Sequence, residues 1–232
     1  RKEGETRIDL AVKNVKLAHI ITDSIMANYT KGNILIVSNP CDVVTYKIAQ
    51  WTGLGNKIIG SGTNLDSARF RQFLSQKLAV DVRNVHGYIL GEHGDTQFPA
   101  WSQTHIAGMH IDDYCSARGI SFSDDDKIAI AEETKKAGAT IIGLKGATYN
   151  GIAVSAAALT QSLLKDEHTI RPVCSVLNGE YGITDCPMNV PTIIGANGIE
   201  KVLEVPLTEV EMANIAKSAE SIRAVIDSVK DL

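Results

Sequence analysis

The sequence lacks the features that would bring it to a membrane or to nucleic acid. No apolar run among its 232 residues approaches the length that spans a bilayer, and no charged-then-apolar leader opens the chain. The formal net charge is −4 and Lys and Arg form no block, which argues against a nucleic-acid partner. We therefore expect a cytoplasmic protein that is long enough to bury a core.

Cysteines are few, and their spacing fits neither a disulfide framework nor a zinc site. The four of them, Cys41, Cys115, Cys174 and Cys186, are scattered, with no Cys-x-x-Cys pair and no histidine cluster at ligand spacing. We interpret them as reduced thiols of a cytosolic protein and expect no bound metal.

Hydrophobic periodicity predicts alternating helices and strands in the first part of the chain. Helices are expected at residues 8–29 and 42–51, and short apolar strands at residues 33–38 and 57–60. This order is typical of α/β proteins with a parallel sheet, in which functional groups lie beyond the carboxyl ends of the strands.

The rest of the chain predicts a mixed α+β domain. Helices are expected at residues 64–79, 124–145, 149–165 and 208–232. Strands are expected at residues 85–90, 104–111, 171–177, 190–194 and 202–207, of which the last three are antiparallel and joined by Gly/Asn turns. Thr208 and Glu211 have the spacing of a capping box at the start of the last helix.

Three residues form the most informative pattern. His93 lies between glycines just after an apolar strand, where a side chain faces a cleft rather than a core. Asp66 and Arg69 project from one face of a predicted helix. Asp66 could orient and charge His93, while the planar guanidinium of Arg69 could bind a substrate carboxylate. The alternatives are a helix ion pair and a turn histidine.

Three motifs resemble the NAD-dependent L-lactate dehydrogenases of the lactate/malate dehydrogenase superfamily. They are Gly-Ser-Gly-Thr-Asn-Leu-Asp-Ser-Ala-Arg-Phe-Arg at residues 60–71, Gly-Glu-His-Gly-Asp-Thr at 91–96 and Val-Ser-Asn-Pro at 37–40. The resemblance implies a pyruvate/L-lactate oxidoreductase of glycolysis and fermentation with NAD as its cofactor. It also implies that residues 1–61 are the carboxyl-terminal part of a Rossmann-type dinucleotide-binding domain and residues 62–232 the substrate domain.

The glycine-rich turn of such enzymes is missing from the sequence. They begin with a strand–turn–helix of the Gly-x-Gly-x-x-Gly type, which does not occur here. The first residue is Arg1 and falls within a motif of the resembled family. We therefore interpret the sequence as a fragment of a longer protein, and a non-catalytic fragment or structural homologue is one alternative to an enzyme.

The resemblance assigns catalytic and substrate-binding roles. His93 matches the acid–base residue and Asp66 its carboxylate partner, while Arg69 matches the clamp for the substrate carboxylate. Arg7 matches an arginine on a mobile loop that polarises the reacting carbonyl when the loop closes. Asn39 matches a residue that hydrogen-bonds the substrate oxygen.

Further matches surround the substrate and the cofactor. Thr148 matches a side chain near the third carbon of the substrate. Ser61 matches a contact to the nicotinamide carboxamide, Ile152 an apolar wall behind that ring, and Val37 and Asn39 further contacts of the cofactor. Without the resemblance, Asn39, Thr148 and Ser61 would be interpreted as a turn residue, a helix cap and a loop hydroxyl.

Arg71 and His86 match a pair of residues that, in the resembled family, concerns regulation and subunit assembly. In bacterial members the matching pair lines a fructose 1,6-bisphosphate site between subunits of a homotetramer, whereas vertebrate members carry the pair without that control. The pair therefore permits an allosteric site without requiring one. The remaining histidines show no partner pattern and are interpreted as structural or exposed: His19, His105, His110 and His168.

Arg1 favours a different substrate from the other motifs. Lactate dehydrogenases usually carry glutamine at this loop position, whereas malate dehydrogenases carry arginine, whose charge suits the second carboxylate of oxaloacetate. Glu5, the bulk of Thr148 and the long motif matches favour pyruvate. We predict pyruvate, with malate dehydrogenase as the alternative.

Overall fold

A computed structural model describes residues 7–232. The helices are α1 (Arg7–Met26), α2 (Cys41–Thr52), α3 (Asn64–Leu78), α4 (Ile111–Arg118), α5 (Asp124–Lys145), α6 (Asn150–Leu164) and α7 (Glu209–Asp227). The strands are β1 (Ile34–Ile36), β2 (Ile58–Gly60), β3 (Val85–His86), β4 (Ile89–Leu90), β5 (Phe98–Pro99), β6 (His105–Ile106), β7 (Met109–His110), β8 (Thr169–Asn178), β9 (Thr184–Gly195) and β10 (Gly198–Val202).

One five-stranded sheet joins the two parts of the chain. Its order is β1-β2-β8-β9-β10. The apolar strands β1 and β2 are parallel, β2 meets β8 only through Gly60 and Cys174, and β8, β9 and β10 are antiparallel. The predicted α/β class is confirmed. The carboxyl ends of β1 and β2 lead directly to Asn39 and Ser61, as expected for residues of a site at the edge of a parallel pair.

Two predicted strands are interrupted in the structure. The segment 85–90 divides into β3, which pairs with β6, and β4, which pairs with β5. The break falls at Gly87, whose carbonyl accepts a hydrogen bond from Arg71 Nη1 at 3.2 Å instead of continuing a ladder. The segment 104–111 is a hairpin of β6 and β7, because Ala107 and Gly108 both have positive φ, as a tight hairpin turn requires.

The strand predicted at residues 202–207 begins four residues earlier in the structure, and the sequence does not predict helix α4. The strand begins at Gly198, immediately after the turn, and ends at Val202. It is an edge strand whose exposed Glu200 and Lys201 hide the apolar alternation. Helix α4 is short and buries few apolar side chains, so its periodicity is weak.

Helix α7 covers the sheet and closes the fold. The predicted capping box is confirmed, since Thr208 accepts the Glu211 N–H and the Glu211 carboxylate accepts the Thr208 N–H. Ile215, Ala219 and Ile222 of α7 are buried in one apolar cluster with residues of β4, β5 and β9. Because β4 belongs to this cluster, α7 fixes the strand that leads to His93.

The described residues form no bilayer-spanning segment, and their cysteines are buried. None of the helices between residues 7 and 232 combines the required length and apolarity. All four cysteines are free thiols inside the fold. The other histidines make structural or surface contacts: His19 stacks on Trp51, His110 caps α4, and the exposed His168 pairs with Glu200 and Asp166.

Candidate active site

A cavity of about 520 Å³ opens beside the carboxyl ends of β1 and β2. It is lined by residues of α1, of the loops that follow β1 and β2, of α3, α5 and α6, and of the loops after β4 and before α6. Eight residues selected from the sequence lie on its wall: Val37, Asn39, Ser61, Asp66, Arg69, His93, Thr148 and Ile152. Residues separated by more than a hundred positions in the chain therefore share one space.

The geometry at the centre of the cavity is that of a carboxylate–histidine pair. Asp66 Oδ2 lies 2.8 Å from His93 Nδ1, and Arg69 Nη1 donates to Asp66 Oδ1 at 3.1 Å. The side chain of Asp66 is only 5% exposed, so both of its hydrogen bonds form away from bulk water. With Nδ1 bound to Asp66, Nε2 is the nitrogen of His93 that remains for a substrate.

Two side chains at the start of α3 fix Asp66 relative to His93. Thr63 Oγ1 donates to the Ile89 carbonyl at 2.6 Å, and Ser67 Oγ accepts the Ile89 N–H at 2.8 Å. Strand β4, which contains Ile89, continues directly into the loop of His93. Asp66 lies in the first turn of α3, where the helix dipole stabilises a negative charge.

The loop of His93 is fastened to α7 by the buried Glu92. Only 1% of Glu92 is exposed, and its Oε2 accepts hydrogen bonds from Thr96 Oγ1 at 2.6 Å and from Ser221 Oγ at 3.1 Å. Gly91 has φ of 92°, and a Cβ there would lie 2.5 Å from Ser218 Oγ. The Gly-Glu-His-Gly pattern therefore reflects close packing as well as chemistry.

The charges around His93 favour its protonated form. Burial by itself would lower the pKa of His93, but the hydrogen bond and charge of Asp66, together with the charge of Asp42, raise it above the usual value. Arg69 opposes this with a smaller effect. A protonated imidazole whose Nδ1 is held by a carboxylate can deliver a proton from Nε2 to an oxygen in the cavity.

Comparison with known families matches both parts of the chain. Residues 63–232 match the lactate/malate dehydrogenase alpha/beta C-terminal domain, and residues 1–60 match the NAD binding domain of the same family. The chain belongs to the lactate/malate dehydrogenase family.

Relatives from several bacteria cover nearly the whole chain. L-lactate dehydrogenase 1 of Lactococcus lactis subsp. cremoris is 38% identical over 228 residues, which are 98% of this chain and 70% of the relative. An L-lactate dehydrogenase of Thermoanaerobacter sp. is 41% identical over 230 residues, 99% of this chain and 74% of the relative.

Solved structures of lactate dehydrogenases have the same fold. The L-lactate dehydrogenase of Clostridium thermocellum is 52% identical with a TM-score of 0.89, and the alignment covers 99% of this chain and 76% of that one. The minor L-lactate dehydrogenase of Enterococcus mundtii, in its ligand-bound form, is 39% identical with a TM-score of 0.94, covering 99% and 73%.

One side of the cavity suits the nicotinamide end of the cofactor that the family binds. Val37 is an apolar side chain that is 45% exposed, directly after β1, and Ile152 of α6 lines the same cavity. Asn39 and the buried Ser61 supply polar groups nearby. Apolar walls with a few polar groups are the usual environment of a cofactor ring, so these residues fit it.

Arg71 and His86, the predicted regulatory pair, lie outside this cavity. Arg71 lines a separate cleft of about 450 Å³ together with Arg171 of β8, while His86 is exposed on β3. Burial and the charge of Arg171 lower the pKa of Arg71. Among residues 7–232 no hydrogen bond joins His86 to Arg71. Arg71 instead donates a hydrogen bond to the carbonyl of Gly87, the residue that follows His86.

Two arginines predicted to lie on the loop before α1, Arg1 and Arg7, fall wholly or in part outside the described residues. Arg1 and Glu5 lie outside the described residues. Arg7 begins α1, but its side chain is likewise outside the description. Their predicted contacts to the substrate stay predictions.

Sequence reasoning missed several groups at the site. Asp42 accepts the backbone N–H of His93 and was interpreted only as a residue of helix α2. Its partner Asn189 lies almost 150 residues away on β9, and nothing in the local pattern marks it. Gln97 and Lys135 also line the cavity, and only their positions in the folded chain reveal it.

Proposed function

We propose that this protein is an NAD-dependent L-lactate dehydrogenase that interconverts pyruvate and L-lactate. The observation that carries the proposal is the 2.8 Å contact between His93 Nδ1 and Asp66, with Arg69 on the same carboxylate, inside one cavity. Relatives named L-lactate dehydrogenase at 38–41% identity support it.

Three residues of this chain handle the substrate. Arg69 binds the substrate carboxylate through its planar donor groups, which a lysine could not reproduce. Asn39 hydrogen-bonds the oxygen on the second carbon. His93 gives its Nε2 proton to that oxygen during reduction, and takes the hydroxyl proton back during oxidation.

Asp66 keeps His93 in the form that each direction needs. Its hydrogen bond to Nδ1 fixes the ring orientation and leaves Nε2 as the reactive nitrogen. Its charge stabilises the imidazolium that precedes proton transfer to pyruvate and follows proton removal from lactate. Arg7, the first residue of α1, is proposed to polarise the substrate carbonyl.

NAD is the cofactor, and when bound it supplies or accepts the hydride at the second carbon of the substrate. Asn39, Val37, Ser61 and Ile152 would hold its nicotinamide end. Thr148 would lie beside the third carbon of the substrate.

We also propose how the protein is organised. Residues 1–61 belong to the dinucleotide-binding domain and residues 62–232 form the substrate domain. We propose a homotetramer, and the large apolar side chains exposed on α1 support a subunit interface there, namely Ile8, Leu17, Ile20 and Ile21. Arg71 and His86 would bind fructose 1,6-bisphosphate between subunits. Buried free thiols agree with a cytoplasmic enzyme.

The choice between pyruvate and oxaloacetate can be measured directly. We expect kcat/KM with NADH to be higher for pyruvate than for oxaloacetate. Exchanging Arg1→Gln should lower the value for oxaloacetate selectively, because the arginine charge is the group that favours a second carboxylate. Higher kcat/KM for oxaloacetate in the unaltered enzyme would establish malate dehydrogenase activity instead.

A further inference from the structure

Asp42 carries a buried carboxylate that the proposed mechanism does not use. It lies in the first turn of α2, three residues after Asn39, and is only 3% exposed. Its Oδ2 accepts the backbone N–H of His93 at 2.7 Å, and its Oδ1 accepts the side-chain N–H of Asn189 at 2.9 Å. Burial raises the pKa of the Asp42 carboxyl, whereas the charge of His93 and the two hydrogen bonds that its oxygens accept at the positive end of a helix favour the ionised form.

Asn189 completes the attachment of the catalytic loop. Its side chain also donates to the Gly91 carbonyl at 2.8 Å, and the backbones of Gly91 and Asn189 exchange two hydrogen bonds of 3.1 and 3.0 Å. The loop is therefore held at Gly91 by β9 and at His93 by Asp42. A hydrogen bond joins Asp42 to Asn189, so the attachments of the loop at Gly91 and at His93 belong to one hydrogen-bond network.

We propose that Asp42 is a positioning residue for the reaction, which fixes the loop of His93 to the segment of Asn39 and places a second negative charge beside the imidazole. The proposal rests on the proposed function, in which Asn39 and His93 act on the same substrate oxygen. These two residues come from different parts of the chain, and Asp42 is the hydrogen-bonded link between them. A change in the relative positions of Asn39 and His93 would lower the rate of proton transfer.

The charge of Asp42 acts in the same direction as that of Asp66. The charged groups that face His93 or line its cavity come from α2, α3, α5 and the loop itself: Asp42, Asp66, Arg69, Lys135 and Asp95. Burial of His93 lowers its pKa, the two aspartates at positions 66 and 42 raise it, and Arg69 lowers it. Removing the charge of Asp42 should therefore lower the pKa of His93 even while Asp66 remains.

The test compares Asp42→Asn with the unaltered enzyme by NMR titration of the His93 imidazole, which needs no turnover. We expect the pKa of His93 to fall by about half a unit or more in the variant. Asp113→Asn, which removes an exposed carboxylate of α4, is the matched control and should leave the titration unchanged. An unchanged titration in folded Asp42→Asn would overturn the proposal.

A second measurement applies if Asp42→Asn does not fold. In the unaltered enzyme the His93 amide should exchange with solvent far more slowly than that of Gly108 in the exposed turn between β6 and β7, because the His93 amide donates a hydrogen bond to a buried carboxylate. Equal exchange rates would contradict the link. Failure of the proposed function would look different: pyruvate would not be reduced, while the titration and exchange results stayed as expected.

Discussion

Replacing Asp66 by asparagine should lower the pKa of His93 and, with it, pyruvate reduction at neutral pH. Asparagine keeps the size of the side chain and can still accept a hydrogen bond from Nδ1, but it carries no charge. In the present structure burial lowers the pKa of His93, and Asp66 is the main group that reverses this. An opposite charge in contact is worth about 1–3 pKa units, each equal to about 1.4 kcal/mol.

The effect on the reaction depends on pH in a defined direction. Reduction needs protonated His93, so kcat/KM for pyruvate falls about tenfold per pH unit above its pKa. In Asp66→Asn this fall should begin about 1–3 units lower, which predicts a loss of about 10- to 1000-fold at a pH above both values. At a pH below both values the two enzymes should differ much less.

The same pairing predicts how stability changes with pH. The pKa of His93 is raised in the folded state, so the ion pair with Asp66 stabilises the fold fully below the pKa of the unfolded chain and is lost as pH rises through the folded-state value. The penalty of Asp66→Asn on unfolding free energy should therefore be larger at mildly acidic than at alkaline pH.

Steady-state rates across the pH range, with urea unfolding at two pH values, provide the assay. Asp113→Asn is the matched control and should have the pH profile of the unaltered enzyme. If Asp66→Asn keeps the wild-type profile while remaining folded, Asp66 does not set the protonation of His93 and the reasoning is refuted.

Three further predictions concern other residues. Arg69→Lys keeps the charge but loses the two-point grip, so KM for pyruvate should rise while the NADH dissociation constant is unchanged; an unchanged KM would exclude Arg69 as the clamp. Gly91→Ala should lower the free energy of unfolding, measured in urea, by about 2 kcal/mol or more, because the added Cβ would meet the Ser218 hydroxyl of α7. Gly108→Ala is the control: Gly108 also has a positive φ but faces open space, so the loss should be smaller, and equal losses would refute the packing argument. Fructose 1,6-bisphosphate should activate the unaltered enzyme and should have no effect on Arg71→Ala, because the guanidinium is the group that binds a phosphate; no response in the unaltered enzyme would refute regulation through Arg71 and His86.

Long, strongly patterned elements could be predicted from the sequence, because their signal is local. Helix α5 has a capping box, an acidic first turn and a lysine near its end, and it spans the predicted residues. Strands β1 and β2 are short apolar runs whose side chains pack into two different apolar clusters. Short or edge elements such as β10 carry too few buried residues for the period to be visible.

The site was predictable only in part, for a related reason. Asp66 and Arg69 share a helix face, so their spacing indicates their joint role, and the glycines around His93 mark a loop. The link from Asp42 to His93 and Asn189 depends on how α2, the loop and β9 meet in space. Such pairings arise from tertiary packing and leave no periodic trace.

The most direct test of the account is the turnover of His93→Asn. The account predicts that pyruvate reduction by this variant is slower by at least about a hundredfold, the usual contribution of general acid–base catalysis, while NADH still binds and the fold is retained. Near-native turnover in His93→Asn would contradict the central claim that this histidine transfers the proton.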